Sequence, residues 1–276
     1  MSDQIVKKTP LLEVTELKKY FPIRRGFLKR IVGYVKAVDD LSFSIHEGET
    51  LGLVGESGCG KTTAGRSILK AIPPTSGKIM FNDSELGLVN VAELEGSQLL
   101  QVRRNMRMIF QDPYASLNPR MTLLDIVGAP MRAMNLAHGK DLEDRVAEML
   151  KRVGLRPEYM RRYPHAFSGG QRQRIGLARA LAPNPKFVVC DEPVSALDVS
   201  VQAQILNLLR DLQRDLGVSY LFITHNIGVV EYIADFVAVM RAGRIEEQGA
   251  SASVLERPRC DYTRTLLAAV PRLQMA

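Results

Sequence analysis

The chain has 276 residues, of which 46% are hydrophobic and 24% are charged, a composition typical of a folded globular protein rather than a disordered or fibrous one. No run approaches the roughly 18 apolar residues of a membrane-spanning helix, and residues 1–8 contain no apolar signal core, so neither a membrane span nor secretion is expected. The net charge of +7 favours work near a membrane surface over binding of DNA or RNA, because no long basic tail or basic–aromatic array is present.

The three cysteines are scattered along the chain and lack metal-ligand spacing. They are Cys59, Cys190 and Cys260. This arrangement argues for a reducing compartment, and against a disulfide framework or a zinc or iron–sulfur site.

The first elements in chain order are predicted strands. Apolar residues nearly alternate over residues 12–17 and alternate cleanly over residues 41–45, which predicts an antiparallel sheet with one apolar face. We interpret the stretch between them, Phe21 to Tyr34, as a basic, irregular insertion. Residues 78–81 form another predicted strand after a turn rich in Pro and Gly.

Helical spacing begins near Asp112, and the amphipathic residues 141–153 predict a surface helix. We place an inserted helical subdomain at approximately residues 112–174. Predicted strands and helices then alternate from residue 187 to residue 240, which indicates a doubly wound sheet. The fold class predicted is therefore α/β, in a single domain over residues 1–276 with a short C-terminal extension at residues 251–276.

One glycine-rich segment fits the phosphate-binding pattern G-x-x-x-x-G-K-[ST]. It lies between a predicted strand at residues 50–54 and a predicted helix from Thr63, which is the context that this pattern requires. Its glycines let backbone N–H groups surround phosphates, Lys61 would reach the β- and γ-phosphates, and Thr62 would ligate Mg²⁺. The nucleotide-binding candidates here are Gly55, Glu56, Ser57, Gly58, Cys59, Gly60, Lys61, Thr62 and Thr63.

Two further motifs flank the helical region. Gln111 stands where a strand edge meets it, so that its amide would touch Mg²⁺ and the attacking water. Ser168-Gly169-Gly170-Gln171 begins a predicted helix, with Ser168 as its N-cap and two glycines that expose backbone N–H groups. This is a second anion cradle, which makes sense if it serves the nucleotide of a partner chain.

Polar residues end two of the apolar strands. Asp191 and Glu192 follow residues 187–190, and His225 ends the strand after them. The carboxyl ends of strands form the ligand-binding edge of an α/β sheet. Asp191 would hold Mg²⁺ through water, Glu192 would act as general base on the attacking water, and His225 would contact the γ-phosphate.

Taken in this order, the motifs resemble those of ATP-binding cassette (ABC) transporter ATPase subunits. The matches are the P-loop at residues 55–62, the Q-loop Gln111, the signature from Ser168, the Walker B pair Asp191 and Glu192, the D-loop at residues 195–198 and the H-loop His225. Phe167 departs from the family's usual Leu before the signature. The resemblance implies an ATP- and Mg²⁺-dependent ATPase that forms a head-to-tail dimer with the same or a related chain, each ATP being sandwiched between one P-loop and the partner's signature.

The resemblance narrows to oligopeptide/dipeptide importers. The segments that carry it are residues 55–60, residues 111–120 and residues 261–267 before Val270-Pro271. It implies peripheral attachment at the cytoplasmic face of the membrane, two permease subunits and an external solute-binding protein. Importers of this group also transport nickel, glutathione, opines and some oligosaccharides, so the resemblance does not determine the transported solute. A C-terminal iron–sulfur site, present in some relatives, is excluded because Cys260 cannot supply four ligands.

The family pattern also places an aromatic residue against adenine, for which Tyr34 is our first candidate and Phe21 our second.

The sequence disfavours two alternative functions. A cassette ATPase acting on nucleic acid or the ribosome is disfavoured by the single P-loop and the lack of sustained heptads, so no nucleic-acid partner is expected. An exporter ATPase is disfavoured by the peptide-importer segments.

Overall fold

The computed structural model describes residues 9–26, 30–111 and 117–268. Part of the importer-like segment at residues 111–120 and the pair Val270-Pro271 therefore lie outside the described residues. The strands are β1 (Leu12–Arg25), β2 (Arg30–Ile45), β3 (Thr50–Val54), β4 (Ser76–Asp83), β5 (Gly87–Asn90), β6 (Met106–Ile109), β7 (Phe187–Asp191), β8 (Ser219–Thr224), β9 (Phe236–Arg241) and β10 (Arg244–Ala250).

The α-helices are α1 (Lys61–Ile68), α2 (Gly96–Asn105), α3 (Leu123–Ala133), α4 (Gly139–Arg152), α5 (Gly169–Leu181), α6 (Val199–Leu216), α7 (Ile227–Ile233), α8 (Ser251–Glu256) and α9 (Asp261–Ala268). Two short 3-10 helices, Pro157–Arg161 and Pro164–Ala166, stand between α4 and α5. None of the helices in the described ranges is long and apolar enough to cross a membrane.

The strands form two sheets. The first is antiparallel, with the order β2-β1-β4-β5. The second has the order β10-β9-β3-β8-β7-β6, and all its pairs are parallel except β9 with β10. The predicted α/β class, with an antiparallel sheet next to a mainly parallel core sheet, is confirmed.

The central strands β7 and β8 are buried along their whole length because helices or strands cover both of their faces. Val188 and Cys190 face the helical half of the core, together with α5 and α6. Phe187 and Val189 face the other half, where α1 packs against the antiparallel sheet. A strand covered on both faces reads as a continuous apolar run, which is the pattern seen at residues 187–190.

Our interpretation of residues 21–34 as an irregular insertion is wrong. β1 and β2 continue as an antiparallel hairpin, in which Phe21 pairs with Val35 and Arg25 pairs with Arg30. Four register shifts interrupt the pairing of β1 with β2. Three of these shifts lie at residues 14–20 and one at residues 23–24, so a regular period of two does not run along β1 and alternation does not identify its outer part as a strand.

Candidate nucleotide-binding and catalytic site

The glycine-rich loop joins β3 to α1 and packs tightly on its neighbours. A Cβ atom at Gly60 would lie 1.9 Å from the carbonyl oxygen of Ala37, and one at Gly55 would lie 2.1 Å from that of Met240. The φ angles of the two glycines, +109° and +154°, are also ones that other residues rarely adopt. Only glycine therefore permits this approach of the loop to β2 and β9.

Lys61 lies inside the loop. It is 5% exposed, and its Nζ donates hydrogen bonds of 2.7 Å to the carbonyl oxygens of Gly55 and Glu56. No side chain caps α1, whose N-cap residue is Gly60. A buried ammonium group beside the open, positive end of a helix is a suitable environment for phosphate groups.

Thr62 and Asp191 join the loop to the end of β7. The Thr62 hydroxyl donates a 2.8 Å hydrogen bond to Oδ1 of Asp191. Burial raises the pKa of the Asp191 carboxyl, while the bond from Thr62 and the charges of Arg66 and Lys61 oppose that rise. A hydroxyl and a carboxylate oxygen at this separation fit a Mg²⁺ ion that completes its shell with water and substrate oxygens. Substrate oxygens are needed because no cluster of three His, Cys, Asp or Glu side chains forms a metal site in the described ranges.

Glu192 is held between two side chains. Its Oε2 accepts a 3.0 Å hydrogen bond from Nε2 of Gln111, and its Oε1 lies 3.0 Å from Nδ1 of His225. The backbone of Glu192 is left-handed, with φ of +46°, and its N–H donates to the carbonyl oxygen of Ile223. The turn directly after β7 thus fixes the direction of this carboxylate.

Four neighbouring parallel strands bring these residues together. Gln111 follows β6, Asp191 ends β7, His225 follows β8 and the loop follows β3, so all lie at the carboxyl edge of the core sheet. The loop, Gln111, Glu192 and His225 line a cavity of about 720 Å³, within the size range of small-molecule sites, whereas Asp191, Gly55 and Glu56 do not line it. Of the predicted residues, those that line it are Ser57, Gly58, Cys59, Gly60, Lys61, Thr62, Thr63, Gln111, Glu192 and His225.

Sequence reasoning missed the opposite wall of the cavity. It consists of residues 35–37 of β2 and residues 242–243 of the turn between β9 and β10. Gly243 ties the wall together, because its N–H donates to the carbonyl oxygen of Cys59 and its own carbonyl accepts from the N–H of Asp39. The Ala-Gly step between two strands signals a turn, but nothing local shows that it meets residue 39.

Asp39 is the centre of a polar cluster behind this wall. It accepts hydrogen bonds from Nη2 and Nε of Arg244, at 2.7 and 3.1 Å, and one from the Tyr20 hydroxyl. The Tyr20 and Arg244 hydrogen bonds lower the pKa of Asp39 to about 2. An ionised Asp39 therefore joins β1, β2 and β10 at neutral pH.

Tyr34 and Phe21 lie on the β1–β2 hairpin and are both exposed. Neither lines the cavity, although Val35, the neighbour of Tyr34, does. Stacking of Tyr34 on adenine stays a prediction.

The signature residues lie outside the cavity, at the N-terminus of α5. Ser168 Oγ accepts from the N–H of Gln171, and the Gln171 side chain accepts from the N–H of Ser168, which together form a capping box. Ser168 is exposed, and Gly170 packs so closely on α6 that an added Cβ would lie 2.7 Å from Val201. The structure thus separates the two predicted anion cradles.

Comparison with known proteins identifies the family. Residues 38–195 match the model of the ABC transporter family. The chain belongs to this family. Its ABC relatives include the oligopeptide transport ATP-binding protein AppF of Bacillus subtilis, 50% identical over 95% of this chain and 78% of AppF. The glutathione import ATP-binding protein GsiA of Escherichia coli is 52% identical over 97% of this chain, which spans only 42% of GsiA.

Solved ABC cassettes have the same fold. The ATP-binding cassette MJ0796, a dimer in a post-hydrolysis state bound to ADP and Pi, superposes with a TM-score of 0.74 at 27% identity, over 87% of this chain and 98% of that one. CbiO1 of Clostridium perfringens, part of the complex cbiONQ, gives 0.74 at 27% identity, over 90% and 91%. The predicted ABC transport ATPase, an ATP-binding enzyme of the P-loop class, is confirmed.

Proposed function

We propose that this ABC ATPase drives the import of oligopeptides, dipeptides or similar small peptides such as glutathione. The cargo class follows that of two relatives, the oligopeptide transport protein AppF and the glutathione import protein GsiA, each similar to this chain over nearly its whole length. The catalytic part of the proposal depends on one observation, the carboxylate of Glu192 held between Gln111 and His225 at the edge of the cavity.

Glu192 acts as the general base in the proposed mechanism. Two fixed neighbours orient its carboxylate, so it accepts the proton of a water that attacks the γ-phosphate of ATP. His225 holds one carboxylate oxygen of Glu192, while Gln111 holds the other. Proton acceptance here requires no movement of the backbone, because the left-handed turn at residue 192 already directs the side chain into the cavity.

The loop side of the cavity binds the nucleotide. Lys61 and the open N-terminus of α1 hold the β- and γ-phosphates, with residues 55–60 and Thr63 shaping the cradle. Thr62, Asp191 and Gln111 would hold Mg²⁺, which would neutralise charge on those phosphates. The adenine ring lies toward the β2 wall and stacks on Tyr34 when the hairpin side chains rearrange.

The signature acts on a second chain's nucleotide. Ser168, Gly169, Gly170 and Gln171 lie away from this chain's own cavity, which favours a head-to-tail dimer with a second ATPase, either the same or a related chain. Two permease subunits bound at the helical region (approximately residues 112–174) provide the path, and an external solute-binding protein delivers cargo. The ATPase then lies peripherally at the cytoplasmic face of the membrane, with no nucleic acid involved.

The Glu192→Gln variant tests the catalytic assignment. Glutamine keeps the shape of the side chain but cannot accept the proton, so turnover should fall by about 10²–10⁴-fold. ATP affinity should be retained, and an ATP-bound dimer should accumulate in size-exclusion chromatography. Glu231→Gln, on the exposed side of α7, is the matched control and should leave turnover unchanged. Turnover retained in Glu192→Gln would remove this residue as the base.

The importer assignment is tested by purification of the tagged chain from gently solubilised membranes of its host. Two permeases should co-purify, and the presence or absence of a second ATPase decides the composition of the dimer. Recovery of ribosomes or nucleic acid without a membrane partner would contradict the transport function and leave the ATPase chemistry intact.

A further inference from the structure

The positive charge of this protein is concentrated in one short segment. Residues 18–38 contain seven Lys and Arg and no Asp or Glu, which equals the net charge of +7 for the whole chain. The remaining 30 Lys and Arg are therefore balanced by the 30 Asp and Glu elsewhere. The basic residues of the segment are Lys18, Lys19, Arg24, Arg25, Lys29, Arg30 and Lys36.

The segment forms a two-stranded ribbon that extends beyond its sheet. β1 pairs with β4 only as far as Lys18, whereas its pairing with β2 continues to Arg25 and Arg30. Beyond Lys18, the ribbon therefore lacks the third strand that supports the base of the hairpin. An isolated two-stranded ribbon is marginally stable in water, so an extension of this length is better explained by a binding partner.

The outer part of the ribbon exposes large apolar side chains together with its cations. Ile31 and Val32 are 51% and 58% exposed, and Phe21, Ile23 and Val35 are also exposed. Arg24, Arg25 and Arg30 form no ion pair within the described ranges. Contiguous exposed apolar side chains of this kind mark interaction sites.

We propose that the outer part of this basic–apolar ribbon, residues 21–26 and 30–33, binds the surface of an anionic lipid bilayer. Apolar side chains that enter the boundary between headgroups and acyl chains, next to Arg side chains that pair with lipid phosphates, form a combination typical of interfacial membrane contacts. The inference goes beyond the proposed function, because it gives the ATPase a contact with lipid that needs no permease.

The composition of the ribbon favours lipid over the other anionic partners. A nucleic-acid surface is typically bound by cations with aromatic side chains that stack on bases. In residues 21–26 and 30–33 the most exposed apolar side chains are instead β-branched aliphatic ones, Ile31 and Val32, and the exposed Tyr34 lies next to the cavity wall. An acidic protein partner would be matched by cations alone and would leave these aliphatic side chains in contact with charge. A bilayer surface satisfies both kinds of side chain at once.

The chain contains no tryptophan, so a single introduced one reports its own surroundings. We would add vesicles of phosphatidylglycerol and phosphatidylcholine to the Ile31→Trp variant. The expected result is a blue shift of its fluorescence and quenching by brominated acyl chains. Leu100→Trp, at a comparably exposed position of α2, is the matched control and should show neither effect. Equal responses of the two variants, or none in Ile31→Trp, would overturn the proposal.

Vesicle flotation of the full chain separates charge from apolar contact. Each cation near an anionic surface strengthens binding about fivefold, so Arg24→Gln with Arg25→Gln should weaken partitioning by roughly 30-fold. The control pair Arg257→Gln with Arg259→Gln, on an exposed surface elsewhere, removes the same charge and should change partitioning little. Ile31→Ser with Val32→Ser should weaken partitioning as well. An effect of similar size in both arginine pairs, or none in the serine variant, would contradict an inserted ribbon.

If a protein or a nucleic acid binds the ribbon instead of lipid, the measurements give different results. Ribbon variants that bind vesicles like the wild type but lose a permease or a second ATPase in the membrane purification would show that a protein covers the ribbon. Binding of a single-stranded oligonucleotide in preference to vesicles would assign the ribbon to nucleic acid. Either result overturns the lipid proposal, and neither changes the ATPase assignment, which is measured by turnover.

Discussion

Two helices of this ABC ATPase start within glycine-containing segments that the sequence predicts as anion cradles, and their N-termini differ in the structure. α1 has no side-chain cap, and its first turn lines the cavity. α5 is closed by the Ser168–Gln171 capping box and lies outside that cavity. At the N-terminus of α1 no side chain in the described part of the chain accepts from the backbone N–H groups, and the helix end lies within the cavity. At the N-terminus of α5 the Ser168 side chain accepts from one backbone N–H, and none of the described cavity residues surrounds the helix end. Under the proposed function, a single chain would therefore hold one finished phosphate site, at α1, and one half-site, at α5.

The largest expected effect comes from removing the charge at the finished site. Lys61→Ala deletes the only buried lysine of the loop, and loss of a buried charged partner costs about 2–5 kcal/mol. ATP affinity of the isolated chain should fall by at least about 30-fold, as measured by titration with a fluorescent ATP analogue. The control is Lys186→Ala, which removes a lysine outside the cavity whose ion pair, with Glu47, is 3.9 Å long. Its ATP affinity should equal that of the wild type. Unchanged affinity in Lys61→Ala would undermine the assignment of the loop.

A smaller effect is expected at the half-site. Ser168→Ala removes the Oγ that accepts from the Gln171 N–H, a hydrogen bond that stabilises the helix terminus by about 1 kcal/mol. ATP affinity of the isolated chain should stay the same, while turnover of the assembled dimer should fall by about tenfold. If affinity of the isolated chain fell as well, the two helix termini would serve one nucleotide, and the comparison between them would fail.

The smallest effect is expected behind the cavity wall. Asp39→Asn weakens the bond to Arg244 that holds β2 and β10 together, so ATP affinity should fall by less than about tenfold. Asp125→Asn also changes a carboxylate paired with an arginine, but at a position that does not line the cavity; it is the control and should leave affinity unchanged. A larger loss in the control would show that the wall does not act locally.

The pH dependence of this cluster has a defined sign. The pKa of Asp39 is lowered to about 2, below its ordinary value of 3.8, so its stabilising effect is complete above about pH 4 and disappears as the pH falls towards 2. The stability difference between the wild type and Asp39→Asn, measured by denaturant unfolding, should therefore be constant from pH 5 to 8 and shrink in acid. If the stability difference changed around neutral pH instead, its pH dependence would belong to a titratable group other than Asp39.

Local patterns predicted the residues of the loop, the strand ends and the helix caps, because each depends on neighbours in sequence. Apolar runs such as residues 187–190 identified buried parallel strands, and the structure places Gln111 and His225 against Glu192 as their positions after neighbouring strands suggested. Whether these residues carry out the assigned chemistry stays a prediction. The β2 wall and Gly243 were missed because their contacts join residues about 200 positions apart, which no local period records.

The wall at Gly243 also has a consequence for the newly made chain. The phosphate loop ends at Thr62, but the turn that completes the cavity is translated about 180 residues later. At about 5–20 residues per second, the ribosome needs roughly 10–40 s to cover that distance. During this interval the glycine loop exists with residues 35–37 of its opposite wall but without residues 242–243. Nucleotide can thus be held by the complete cavity only after residue 243 has been translated, and a truncated product that stops before β10 should gain less protection from ATP than the full chain.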